Sequence, residues 1–336
     1  MIIEGENFRE EIVLLISAPI YIILIGLEIF LSHSKKKKLY TLKDTFTNTY
    51  LMLLNMGLDI VLRVGVFFIL SVFYDFRFIE IEYIFLYWII LFFAEDFMFY
   101  WLHRVDHSTR LFWAVHVTHH SSSLFNLTTG FRSSVFQPLY RFAYFIPIAL
   151  LGFHPLDILL MYSITQTYGI IVHTQMINKM GILEHVLVTP SHHRVHHASN
   201  IPFLDKNLGM ILIIWDKLFG TFEKEENCDE PVVYGLTKEQ SLNAPLEVVT
   251  HEWKTLFQDL KKVKGIKSKL TLLLAPPGWT FTDNSQTSKQ LQKKYWREKV
   301  ESSNSKTNQN TIESVLVTDN PILQSDSDFL NRTTIQ

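Results

Sequence analysis

The run "IVLLISAPIYIILIGLEIFL", Ile12 to Leu31, is apolar over the length that crosses a hydrocarbon core of about 30 Å at about 1.5 Å per helical residue. Tyr50 to Phe73 and Tyr83 to Leu102 are two more such runs. Val135 to Leu151 and Leu156 to Val172 make a shorter pair, separated by the tight-turn signal "GFHP". The composition fits: 48% of the 336 residues are hydrophobic, only 19% are charged, and the mean hydropathy is +0.13. That is too apolar for an ordinary soluble chain of this length and too polar for one that lies wholly in a membrane. Glu4, Glu6, Glu10 and Glu11 precede or open the first run, and no small-residue cleavage site follows it, so it reads as a retained helix rather than a signal peptide. The expected fold is an all-α integral membrane protein with four to five membrane-embedded helices.

"SHSKKKK" after the first run sets the orientation. Lys35 to Lys38 belong on the cytoplasmic side, with the N-terminus outside. Alternating from there, His103, His107, His116, His119 and His120 follow the third run on the cytoplasmic face. His173 and the cluster at 192–197 follow the fifth run on that same face. A charge rule that takes no account of histidine thus gathers the histidines together. The net charge of −2 and the lack of a basic stripe exclude a nucleic-acid partner. A single cysteine, Cys228, excludes an internal disulfide framework and a thiolate zinc site.

The chemistry sits in three clusters: "HRVDH" (His103, His107), "HVTHH" (His116, His119, His120) and "HRVHH" (His193, His196, His197). Positions i, i+3 and i+4 share a helix face, so each cluster is expected to aim its imidazoles at one point. Eight nitrogen ligands exceed the needs of one tetrahedral metal and suit two metals sharing an open site. Imidazole alone does not choose among zinc, copper, iron and nickel. No "HExxH" is present to supply a hydrolase base. A zinc-binding membrane transporter or sensor is the rival reading; it predicts ionisable residues near the helix midplanes. Asp59 and Arg63, four apart in the second run, read instead as a mutually neutralising structural pair.

With its blocks "DFMFYWLHRVDH", "HVTHHSSSLFNLTTGFRSS", "TPSHHRVHH" and "DKNLGMILIIWDKLFGTFE", followed by "VVYGLT", the chain resembles the fatty acid hydroxylase/sterol desaturase superfamily of membrane diiron enzymes, and within it the alkylglycerol monooxygenase branch. The likeness spans roughly residues 94–237, and a weaker one extends to "PPGW" at 276–279. The resemblance implies two iron ions held by His103, His107, His116, His119, His120, His193, His196 and His197. His173 falls where members of the family also carry histidine, as a ninth ligand or a donor to one. Ligating histidines normally give their second nitrogen to a carboxylate or carbonyl. Asp96, seven residues before His103, is the favoured orienting group, with Asp106, Asp205, Asn207 and His192 as further candidates. Two departures from the animal members are Ser108 in place of a glutamate and Leu208 in place of a tyrosine.

The implied reaction is O2-dependent hydroxylation of a lipid alkyl or acyl chain. Hydroxylation beside an ether oxygen would give a hemiacetal that collapses to aldehyde and glycerol; the same chemistry serves fatty acid or sterol hydroxylation or desaturation. No cytochrome b5 signature or cysteine cluster is present, and "HP" at 154–155 lacks the glycines of a haem-binding motif. Electrons are therefore expected from a separate protein or a diffusible reductant, a tetrahydropterin among the possibilities.

Outside the clusters, Tyr100, Trp101 and Trp113 read as interfacial anchors or substrate-channel residues. Arg132, near Asn126 and Ser133, stands where a lipid head group or a helix end would be met. His33 and His154 are not expected to bind metal, and His251 has only a minor case. "LEVVTHEWKTLFQDLKKVKG" suits an amphipathic helix with Val248, Trp253, Leu256, Phe257 and Leu260 on one face. The expected organisation is 1–80 transmembrane, 81–237 catalytic, 238–283 amphipathic and 284–336 a polar tail that opens with a short helix and is largely disordered.

Overall fold

The computed structural model describes residues 3–238, 242, 244–282 and 284–302, with side chains of the first helix described from Leu15 onward. Among these residues there is no β-strand. Two isolated bridges, Leu187 to Leu212 and Ala198 to Tyr234, tie loops together.

Three helices carry the apolar runs: α1 (Ile3–Ser34), α2 (Leu42–Asp75) and α3 (Ile84–Ser108). Leu15–Ser34, Leu42–Asp75 and Ile84–Ser108 are long and apolar enough to cross a bilayer. A helix satisfies its backbone polar groups within itself, as a span surrounded by hydrocarbon requires. Ile22, Val61, Val64, Phe68 and Phe85 point outward from these helices and are largely exposed to the surrounding medium. Such surfaces are costly in water and suited to lipid. Thr41 starts α2, its hydroxyl accepting from the Asp44 N–H.

α4 (Arg110–His120) leaves α3 after one extended residue, Thr109. α5 (Phe142–Leu150) and α6 (Pro155–Ile171) then form a hairpin. Of the four to five expected membrane-embedded helices, three are of crossing length, and α5 and α6 stand where the shorter pair was expected. Val135 to Leu151 is not one helix, because Pro138 opens a 3₁₀ turn at Gln137–Leu139 and α5 starts only at Phe142. The hairpin tip lies against the α2–α3 turn, where Phe78 N–H donates to the Leu150 carbonyl over 2.8 Å. Leu70, Leu91, Leu102, Phe145, Phe153 and Ile158 form the core joining α2, α3, α5 and α6. Asp59 pairs with Arg63 at 3.4 Å and also with Arg141 at the N-terminus of α5, which donates to the Tyr162 hydroxyl over 2.8 Å. The pair is thus part of a polar tie between three helices.

α7 (Pro190–His197) and α8 (Ile214–Phe219) follow, then α9 (Pro245–Lys262) and α10 (Ile266–Leu274). Val248 and Val249 of α9 pack on Leu51 of α2 and on Val135. Arg110 at the start of α4 binds Asp259 (2.5 Å) and Glu252 (3.8 Å) of α9. Of the expected apolar face of α9, Val248 and Leu256 are buried, but Phe257 is exposed. Residues 1–288 form one compact unit. In the second, 289–336, residues 289–302 are helical, and the rest of the polar tail lies outside the described residues.

Candidate metal centre

The last two turns of α3 present His103 and His107 on one face, and α4 adds His116, His119 and His120. α7 supplies His193, His196 and His197, and His173 stands just beyond the end of α6. These nine rings sort into two groups: His103, His107, His116, His120 and His196 in the first, His119, His173, His193 and His197 in the second. Within each group, one ligand atom per residue lies within 4.8 Å of all the others.

The sorting corrects one expectation. Each HxxHH segment divides between the groups instead of aiming at one point. Consecutive helical residues are about 100° apart, so His119 turns away from His120 while His116 and His120, four apart, stay together. In α7 the same geometry sends His196 to the first group and the i, i+4 pair His193 and His197 to the second.

The ring nitrogens show what the groups are built to hold. His103 Nδ1–H donates to the Leu208 carbonyl (2.7 Å), His119 Nδ1–H to Arg132 (3.1 Å), His173 Nδ1–H to Gly169 (2.7 Å) and His196 Nδ1–H to Lys206 (3.0 Å). A carbonyl only accepts, so in a neutral ring each of these bonds leaves Nε2 as a bare lone pair. Yet His103 and His116 bring their Nε2 atoms to 3.0 Å, His116 and His120 to 3.2 Å, His173 and His193 to 2.9 Å, and His173 and His197 to 3.1 Å. Two metal–nitrogen bonds of about 2.1 Å at a right angle place their nitrogens about 3.0 Å apart. Nε2 of His107 and Nε2 of His196 are buried with no hydrogen-bond partner, as is Nδ1 of His193. An orphaned buried polar atom costs about 1–3 kcal/mol. The donor set therefore fits two cations of a first-row metal, with all-nitrogen ligation.

Burial, and then mutual repulsion, keeps His116, His120, His193, His196 and His197 neutral and ready to bind. The pKa values of His116, His120, His193, His196 and His197 lie well below the ordinary value, and burial pushes His119 down to about 4.

One loop orients much of the first group. Asp205 and Asn207 adopt left-handed backbone (φ 56° and 53°), which Asp and Asn tolerate better than most residues. The turn they make delivers the Asp205 carboxylate to His107 Nδ1 (3.2 Å), the Lys206 carbonyl to His196 and the Leu208 carbonyl to His103. Asn207 fixes the turn by donating to the His192 (3.1 Å) and Glu223 (2.8 Å) carbonyls. Asp106 lies 3.7 Å from His116 Nδ1 and accepts from Tyr140 (2.7 Å) and Gln137 (2.9 Å).

Asp96 does not touch a histidine, contrary to its expected role. Its carboxylate accepts from the Ile211 and Leu212 N–H groups and from Trp215 Nε1. It holds the loop that holds the ring. Seven residues bring Asp96 near the azimuth of His103 but about 10 Å away along the axis, too far for contact. Asp216, which sequence reasoning missed, clamps the same loop by accepting from Leu208 N–H (2.7 Å) and Gly209 N–H (2.8 Å). An acidic residue inside the apolar stretch "LIIWDKLFG" was the available signal.

His192 belongs to neither group. Its Nδ1 accepts from the Thr189 N–H (3.3 Å) and caps α7. Glu28, also missed, is buried in α1 and accepts from Tyr40, from Thr174 beside His173, and from the Leu127 N–H (2.9 Å). Arg132 is buried, not at a lipid head group. It donates to the Thr118 carbonyl (3.1 Å) and Asn48 (2.8 Å), and its own carbonyl meets His119. Tyr100 is buried and bonds Thr221, whereas Trp113 lies with its ring 5.3 Å from His107 and 5.7 Å from His120, at the wall of the first group. His33 and His154 lie outside both groups, and His251 bonds the Val248 carbonyl of its own helix.

Residues 88–221 match the fatty acid hydroxylase family. Alkylglycerol monooxygenase of Homo sapiens is 37% identical over 193 residues, 57% of this chain and 42% of that protein. The Danio rerio protein of the same name is 36% identical over 193 residues, with the same shares. Ornithine lipid hydroxylase OlsE of Rhizobium tropici is 32% identical over 130 residues, 38% of this chain and 39% of that protein. The match thus spans well under half the length of these curated relatives. No solved structure matches the chain significantly. The segment that matches the fatty acid hydroxylase family, residues 88–221, holds all nine converging imidazoles.

Proposed function

We propose that the chain is an O2-dependent membrane lipid monooxygenase with a diiron centre, hydroxylating an alkyl or acyl chain. The observation that carries this reading is the division of nine imidazoles, eight buried and His119 half-buried, into two groups in which Nε2 atoms approach each other at 2.9–3.2 Å. His103, His107, His116, His120 and His196 would hold one iron and His119, His173, His193 and His197 the other. Bound iron would supply the activation of O2 needed to replace an unactivated C–H hydrogen by hydroxyl, with two electrons and two protons from outside reducing the second oxygen atom to water. The chain's own part is to hold neutral rings in place, through Asp205, Lys206, Leu208 and Arg132, and to keep the centre dry by burying it.

The similarity to alkylglycerol monooxygenases favours an ether lipid as substrate, hydroxylated on the carbon beside the ether oxygen so that the product collapses to aldehyde and glycerol. A second reading, hydroxylation of an acyl chain on a polar lipid, is favoured by the likeness to ornithine lipid hydroxylase. α1–α3 are read as the membrane spans, with the α5–α6 hairpin embedded beside them. The exposed Lys35–Lys38 run at the metal-bearing end supports reading that end as cytoplasmic. The reductant is read as a separate protein or a diffusible donor such as a tetrahydropterin. The test is turnover of the iron-loaded protein under ¹⁸O2 with an alkylglycerol and with a lipid extract. Label in aldehyde from the alkylglycerol supports the first substrate, label in a hydroxylated acyl chain the second. No labelled lipid with a competent reductant sinks the activity.

A further inference from the structure

α9 and α10 leave an apolar ridge uncovered. Ile266, Leu270 and Leu274 recur at i, i+4 and i+8 on α10 and are 74%, 50% and 60% exposed, and Phe257 of α9 is exposed as well. Lys254, Lys261, Lys262, Lys264, Lys267 and Lys269 surround them, all exposed. The one acidic residue between 254 and 275 is Asp259, already engaged by Arg110 and Lys262. Exposed aliphatics flanked by lysines make the surface of a helix that lies in a membrane interface.

Its height in the molecule fits. A core of about 30 Å takes about 20 helical residues. Counted from Ile84, α3 covers that depth near His103, so Thr109 and Arg110 stand just outside the hydrocarbon. The Arg110 N–H donates to the Ala275 carbonyl at the end of α10 over 2.8 Å, fixing α10 at that level. α9 meets Leu51 near the same end of α2, beyond which lies the exposed Lys35–Lys38 run.

We propose that α9 and α10 form an interfacial anchor, with Ile266, Leu270 and Leu274 entering the headgroup–acyl boundary and the lysines binding anionic phospholipid head groups. The proposal rests on the reading of α1–α3 as membrane spans. Because Arg110 joins α9 and α10 to α4, the anchor would also set where the histidine-bearing α4 stands against the bilayer.

The test uses the full chain with Cys228→Ser, spin-labelled at Leu270→Cys or Val64→Cys, in phosphatidylcholine vesicles with and without phosphatidylglycerol. The expected result is that the label at 270 collides more with oxygen than with a water-soluble nickel chelate, and moves deeper when phosphatidylglycerol is present. Replacing Lys261, Lys262, Lys264, Lys267 and Lys269 with Gln should remove that lipid dependence. A label at 270 in water while the label at 64 is in lipid overturns the anchor and leaves the spans standing. Both labels in water overturn the spans too. A label at 270 shielded from both collision agents, with spin–spin broadening that fades on dilution with unlabelled protein, assigns the ridge to a second copy and overturns the proposal. Equal depth in the two lipids overturns the selection for anionic head groups.

Discussion

His107 and His196 each bury an Nε2 that nothing among the described residues satisfies, and both lie in the first group. Losing either ring removes a ligand and leaves its neighbours' lone pairs opposed. His196→Ala is expected to abolish turnover and lower bound metal, whereas Ser108→Ala and His33→Ala should retain it; full metal and turnover in His196→Ala would contradict the ligand assignment. Asp205→Asn keeps the ring but weakens its orienting bond, and such partners are worth roughly 10–100-fold in metal affinity. Chelator titration should then release the first-group metal early and leave the second-group metal at its wild-type affinity; a single unshifted release would show that Asp205 does not act on the site. The converging rings were legible in the sequence because histidine spacing is written in letters. The carbonyls of Lys206, Leu208 and Arg132 that fix the tautomers were not, since every residue carries a carbonyl and only the fold selects which one faces a ring.

At the scale of elements, the 205–213 loop is held by Asp96 on α3 and Asp216 on α8. Asp96→Asn turns an amide N–H toward a donor and should cost roughly 1.5–3 kcal/mol, read as lower thermal stability together with lower metal content; unchanged values for both would remove Asp96 from the support of the site. The α5–α6 tip depends on Gly152, whose φ is +99° and whose added Cβ would stand 2.0 Å from the Ile79 carbonyl. Gly152→Ala is expected to destabilise the bundle by roughly 1–3 kcal/mol in a detergent unfolding measurement, and wild-type stability would contradict that contact. Three helices long and apolar enough to span were readable from apolar length. The fourth run misled because hydropathy counts Pro138 as one residue among many, while the backbone stops there to turn.

For the whole molecule, acid is the simplest lever. Rings buried neutral have folded pKa values below the unfolded value of 6.5, so the unfolded chain binds more protons. The metal-free protein should hold its full stability above about pH 6.5 and lose it as pH falls toward 4, where His119 titrates. Stability of the metal-free protein that does not change across that window would mean the rings are not buried neutral. The central claim is that the three helical segments and His173 build a dinuclear centre rather than a single metal site. It is tested most directly by the metal content per chain of the purified protein after anaerobic loading with ferrous iron and removal of loose metal. The account predicts two irons per chain, falling toward one in His173→Ala. One iron per chain in the wild type, or none, would contradict it.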